Sequence, residues 1–410
     1  MSLAELFNTT QEGLSPFSGE VDTKLGYVKE RVLTSGTPQQ VATAARFVGV
    51  VGSHVNTVAT TTAGTLNYTD VIPEGILRAS ASGSSSLGDL KFNMSLLVND
   101  QSNALEILPR PSENSNVRIH DLNIALNTET MGSLTWGYQP NLFGGFAEKC
   151  DVMPGLGTVA SPHKPQFKYT PPSFGGVEVE VALSQQNHAL DGGVTLAGAV
   201  GVLNSTVSTR LGTEARIAYD LGSMGGYGVN AKIGAEILSQ KAVKFGGANS
   251  ITQVDVVSDK LSGLGYFFDG EFSGAKVCLN KSKTKGLGPN YQTLGGYVTN
   301  AADAADTGRR HYDHLNATVK YTVPMAIPVD LSINYGITER KGVEITSTIE
   351  EATPMENKRL GLSLCSNVSD ALCFSGSYDK IDSKVGSQSA KTDGGSAKAY
   401  AFTGRYTFGK

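Results

Sequence analysis

The chain has 410 residues, of which 48 are glycine, 15 are proline and only 18% are charged. A formal charge of −4 excludes the basic footprint of a nucleic-acid binder. The Gly-rich, weakly charged composition suits a turn-rich β protein better than a helical enzyme. A spanning helix needs ~20 apolar residues. The longest apolar run, residues 196–203, is far shorter, so any membrane crossing is made by strands.

Successive side chains of a strand point to opposite faces, so strands are read here from period-2 alternation. In residues 17–29, Phe17, Val21, Leu25 and Tyr27 share one face, opposite Glu20, Asp22 and Lys24. Residues 30–75 read as a long loop carrying some strand. A hairpin follows, with Leu77, Ala79 and Ala81 before the turn and Leu90, Phe92, Met94, Leu96 and Val98 after it. Next come Leu122, Ile124 and Leu126, then Leu134, Trp136 and Tyr138, then Val177, Val179, Val181 and Leu183. In the second half, Ala215, Ile217 and Tyr219 turn through glycines into Ile233 and Ile237. Leu315 to Val323 turn through Pro324 and Pro328 into Val329 to Ile337. Leu360, Leu362 and Leu364 face Leu372, Phe374 and Tyr378. The chain closes on Tyr400, Phe402, Tyr406 and Phe408 opposite Ala401, Thr403, Arg405 and Thr407.

Short connections alternate with long polar ones, at roughly 30–75, 100–115, 140–164, 239–258, 281–309, 340–357 and 381–397. Together with apolar/polar alternation, this is the pattern of an all-β, transmembrane antiparallel β-barrel of about 16 strands, built as one unit over residues 1–410. The pattern points to transport rather than catalysis. The N-terminus has neither a basic segment nor an apolar core, and is read as that of a mature protein after signal removal.

Residues 168–176, Lys-Tyr-Thr-Pro-Pro-Ser-Phe-Gly-Gly, resemble a signature that follows the third loop of Gram-negative general porins. Residues 132–139, Gly-Ser-Leu-Thr-Trp-Gly-Tyr-Gln, resemble the family strand preceding that loop. The opening at Phe17 and the aromatic last strand fit in the same order. Two departures stand out: Tyr138 replaces an Arg of the family, and Gly409 and Lys410 follow the terminal Phe. The resemblance implies a homotrimer in a bacterial outer membrane, in contact with membrane lipid and lipopolysaccharide. It also implies passive diffusion of ions and small hydrophilic solutes, no cofactor and no enzymatic activity. An inward-folded constriction loop over residues 140–164 is implied as well. The alternatives are a substrate-specific channel and a non-channel surface β-protein.

If the apolar face meets lipid, the opposite face lines the lumen. Its cations are Lys24, Lys91, Arg118, Lys168, Arg216, Lys232, Lys320 and Arg405, and its acids include Glu178 and Glu180. On the constriction loop, Glu148 and Asp151 are expected to face a basic wall containing Lys24, Lys91 and Arg118, producing a transverse field. Cys365 and Cys373 share a parity on neighbouring strands and are candidates for a cross-hairpin disulfide. A Cys150 to Cys278 bridge is a second candidate, with free thiols as the alternative. Residues 311–314, His-Tyr-Asp-His, read as a polar loop rim rather than a metal site, because a three-residue His spacing suits a helix and a strand follows.

Overall fold

The computed structural model describes residues 17–32, 64–99, 117–146, 163–184, 211–224, 230–244, 257–285, 297–299, 307–345, 348–350, 355–387 and 390–408. Its strands are β1 (Phe17–Val32), β2 (Gly64–Ser85), β3 (Gly88–Asn99), β4 (Val117–Thr128), β5 (Gly132–Pro140), β6 (His163–Thr170), β7 (Val177–Ser184), β8 (Gly212–Asp220) and β9 (Asn230–Lys244). They continue with β10 (Val257–Phe272), β11 (Ala275–Lys285), β12 (Tyr297–Thr299), β13 (Thr307–Val323), β14 (Val329–Ile345), β15 (Thr348–Glu350), β16 (Met355–Asn367), β17 (Leu372–Ser387) and β18 (Ala390–Phe408). The three-residue β12 and β15 pair with β13 and β14. The other sixteen strands form a closed antiparallel wall.

Closure comes from the two ends of the chain. β1 pairs with β18 from Gly19 opposite Phe408 to Arg31 opposite Ser396, and with β2 on its other edge. Among the described residues every wall strand is paired on both sides, the condition for a sheet to stand in hydrocarbon. Among the described residues no helix is long and apolar enough to cross a membrane.

The alternation read from the sequence sorts the side chains as expected. Val21, Leu25, Ile217, Ile233, Ile237, Leu331, Ile333, Leu362, Leu364, Phe402 and Tyr406 stand exposed on the outside. On the inside, Glu214, Glu236, Asn280, Asn334 and Thr403 are buried. A soluble sandwich would bury the first set and expose the second, so this barrel is turned inside out relative to water. On the outer wall Tyr27, Tyr400 and Tyr378 lie opposite one another on β1, β18 and β17, with ring centroids 6.1 and 5.1 Å apart. Trp136, Tyr321, Tyr335 and Phe408 are exposed on the same outer surface.

Four boundary expectations are corrected. The long loop expected at 340–357 is largely strand: β14 runs to Ile345, β15 spans Thr348–Glu350 and β16 starts at Met355. The long loop expected at 381–397 is strand: β17 runs to Ser387 and β18 starts at Ala390. The long loop expected at 30–75 is narrower, because β2 begins at Gly64. The tract His311 to His314 is not a loop rim but lies within β13, with Tyr312 and His314 buried.

Candidate functional site

After β5 the chain does not climb away from the barrel. Residues 141–146, Asn-Leu-Phe-Gly-Gly-Phe, turn into it, and Asn141, Leu142, Phe143 and Phe146 are buried. Their partners are three to five strands further around the wall, on β8, β9 and β10. Residues 147–162 of the loop expected at 140–164 lie outside the described residues.

A buried segment must find partners for its backbone N–H groups. The Phe143 N–H donates to Glu214 Oε2 at 2.8 Å, and the Gly144 N–H donates to Glu236 Oε1 at 3.2 Å. Arg216 completes the clamp: its guanidinium donates to the Leu142 carbonyl and to Glu236 Oε2, the latter at 3.2 Å. The same group lies 4.8 Å from the centre of the Phe146 ring, a cation–π contact. Phe146 stacks on Phe267 of β10, with centroids 3.4 Å apart and planes 9° from parallel.

Register explains why these groups meet. Glu180, Arg216, Glu236 and Gly265 stand directly opposite one another on β7, β8, β9 and β10. They form a lumen row of alternating charge that ends in a residue with no side chain. A Cβ at Gly265 would come within 2.8 Å of Glu236 Cγ, so the glycine gives that carboxylate its place. Gly263 does the same for Phe143, whose ring occupies the space a Cβ would take.

Buried charges are costly unless paired and further hydrogen-bonded. Glu236, fully buried, has Arg216 and the Gly144 N–H. Glu214, equally buried, has Lys164 at 2.7 Å, the Ser184 hydroxyl at 2.8 Å and the Phe143 N–H. Lys164 lies at the start of β6, where the loop returns to the wall. The departing and returning ends of the loop are therefore tied to the same carboxylate, Glu214. Arg216 also holds Glu180 at 2.9 Å, and Lys168 lies 3.7 Å from Glu180.

Of the lumen cations expected from sequence, Lys168, Arg216 and Lys232 are all held by acids, Lys232 by Glu178 at 2.6 Å. Lys320 pairs with Asp330 at 2.8 Å. Lys91 is exposed on β3. Arg405 lies opposite Asp22 on β1 and Cys373 on β17. Lys24 occupies a register position opposite Thr403 and Ile72. Arg118 is opposite Leu97, beyond a bulge at which the β3–β4 ladder passes over His120. The side chains of Lys24 and Arg118, and the residues Glu148 and Asp151, lie outside what the structure describes. The residues that sequence reasoning missed as a group are Lys164, Glu214, Glu236, Phe143 and Gly263. Nothing in the sequence joins Glu214 and Glu236 to Phe143.

Cys278 on β11 is disulfide-bonded. Its expected partner, Cys150, lies outside the described residues. Cys365 and Cys373 are free, with their sulfurs 2.6 Å apart across the β16–β17 hairpin. Among the described residues no group of acids, histidines and cysteines is arranged to hold a metal.

No protein-family model and no curated protein matches the chain. Solved structures do. An outer-membrane channel, DcaP of Acinetobacter baumannii, superposes with a TM-score of 0.61 at 11% identity, covering 96% of both chains. OmpF of Salmonella typhi, in a complex with daunomycin, gives 0.54 at 10% identity, covering 95% of this chain and 97% of that one. An anion-selective porin of Comamonas acidovorans gives 0.52 at 12% identity, covering 96% and 98%. The fold is that of the outer-membrane porins.

Proposed function

We propose that this protein is an outer-membrane porin, a water-filled channel through which ions and small hydrophilic solutes diffuse passively, without enzymatic chemistry. One observation carries the reading: a closed barrel, apolar outside, whose segment 141–146 is clamped across its interior by Glu214, Arg216 and Glu236. A loop fixed inside a barrel narrows the passage and sets a size limit, and the charges left around it bias what passes. The outer tyrosine row marks the level of a membrane interface. The exposed Lys398 lies one alternation step further out, opposite Lys380, a position suited to the phosphates of membrane lipid and lipopolysaccharide. The fold supports a homotrimer in a bacterial outer membrane.

Lys168, Arg216 and Lys232 are neutralised by acids, and ion preference is assigned to Lys24, Lys91 and Arg118 and to Glu148 and Asp151 on the loop. Single-channel recording in a planar bilayer tests both levels. Stepwise currents, in linked groups of three for a trimer, are expected from the wild type. The Glu148→Gln/Asp151→Asn channel is expected to show a reversal potential displaced toward anion preference in a salt gradient. A folded protein without current defeats the channel reading, and an unchanged reversal potential defeats the role given to the two acids.

A further inference from the structure

We propose that Cys365 and Cys373 are an oxidisable pair that closes into a second disulfide at the short-turn mouth of the barrel. The two residues flank the turn at 368–371 and sit diagonally on β16 and β17, Cys365 opposite Ser375 and Cys373 opposite Asn367. The hairpin is fixed around them by Val368 N–H to Leu372 C=O at 2.9 Å and by the reciprocal pair between Ser369 and Leu372. Their sulfurs lie 2.6 Å apart, near the ~2.05 Å of a disulfide bond.

Two further observations support the pairing. Cys278 is disulfide-bonded, so the fold already includes a bond that persists only in an oxidising compartment. Both thiols are also half-exposed, so an oxidant can reach them. In the reaction one sulfur of the pair attacks a disulfide of the oxidant and forms a mixed disulfide, releasing one thiol. The other sulfur then displaces the second oxidant thiol and closes the Sγ–Sγ bond. Two protons leave the protein and two electrons reduce the oxidant's disulfide to two thiols. Fastening the hairpin at its base would hold the β16–β17 turn, which also receives a backbone hydrogen bond from Thr407 of the closing strand to Ala371 at 2.8 Å.

The test is thiol counting by mass spectrometry. The full-length barrel is folded in detergent with oxidised glutathione, then unfolded and alkylated without reductant. Peptide mapping is expected to find Cys365 and Cys373 unalkylated and joined in one cross-linked species. Under the same treatment Cys365→Ser is expected to leave Cys373 alkylated or carrying glutathione. Wild type in which both cysteines are alkylated, or carry glutathione separately, overturns the proposal. The readout does not depend on ion conduction, so it stands or falls apart from the channel reading.

Discussion

At the scale of single residues the inward loop depends on side chains that are missing. Gly263 and Gly265 leave room on β10 for the Phe143 ring and the Glu236 carboxylate, two neighbouring gaps in an otherwise filled wall. A β-branched residue suits a strand, so Gly263→Val should still build the barrel. It removes the seat of Phe143, and overpacking of this kind costs about 1–3 kcal/mol. We expect a lower midpoint of thermal unfolding in detergent, together with larger and noisier single-channel currents. Phe143→Ala in the same background is expected to recover the lost stability while leaving the currents large. If Gly263→Val matches wild type in both readouts, the seat described for Phe143 is wrong. None of this was legible in the sequence, where Gly263 is one of 48 glycines and only tertiary contact distinguishes it.

At the scale of elements, alternation was legible wherever a strand has lipid on one side and the lumen on the other. It failed where strands run past the apolar band. The upper parts of β17 and β18 carry Lys380, Asp382 and Lys398 at outward positions, so the apolar signal vanishes while the ladder continues. Period-2 reasoning therefore took 381–397 for a loop. It also gives no access to contacts between remote strands, which is why the clamp joining β5, β6, β8 and β9 was not foreseen, although Arg216 is among the expected lumen charges. That clamp has a measurable signature. Glu214→Gln leaves Lys164 buried without its counter-charge, and breaking a buried pair from one side costs about 3–5 kcal/mol. Lys164→Met removes the other partner and should cost a comparable amount. The double variant is expected to lose clearly less than the sum of the two in thermal or denaturant unfolding. Strict additivity would remove the Lys164–Glu214 pair from any structural role.

At the scale of the molecule the sixteen wall strands behave as a ring, and a ring is completed only by its last member. Deleting residues 390–408 removes β18 and leaves β1 and β17 each with an open edge. Unpaired backbone groups cost several kcal/mol each in hydrocarbon. The shortened chain is expected to show no heat-modifiable band on a denaturing gel and no bilayer current. A shortened chain that still forms such a band would mean that the wall closes without β18. The pairing of Gly19 with Phe408 carries a further meaning for how the protein is made. Every other wall contact joins near neighbours in sequence, so most of the sheet can zip up as synthesis proceeds. The seam cannot form until β18 has left the ribosome. Until then the growing sheet offers two adhesive edges and an apolar face to everything around it, the profile of a chain prone to aggregation. Such a chain must be escorted, unclosed, to the place where it inserts.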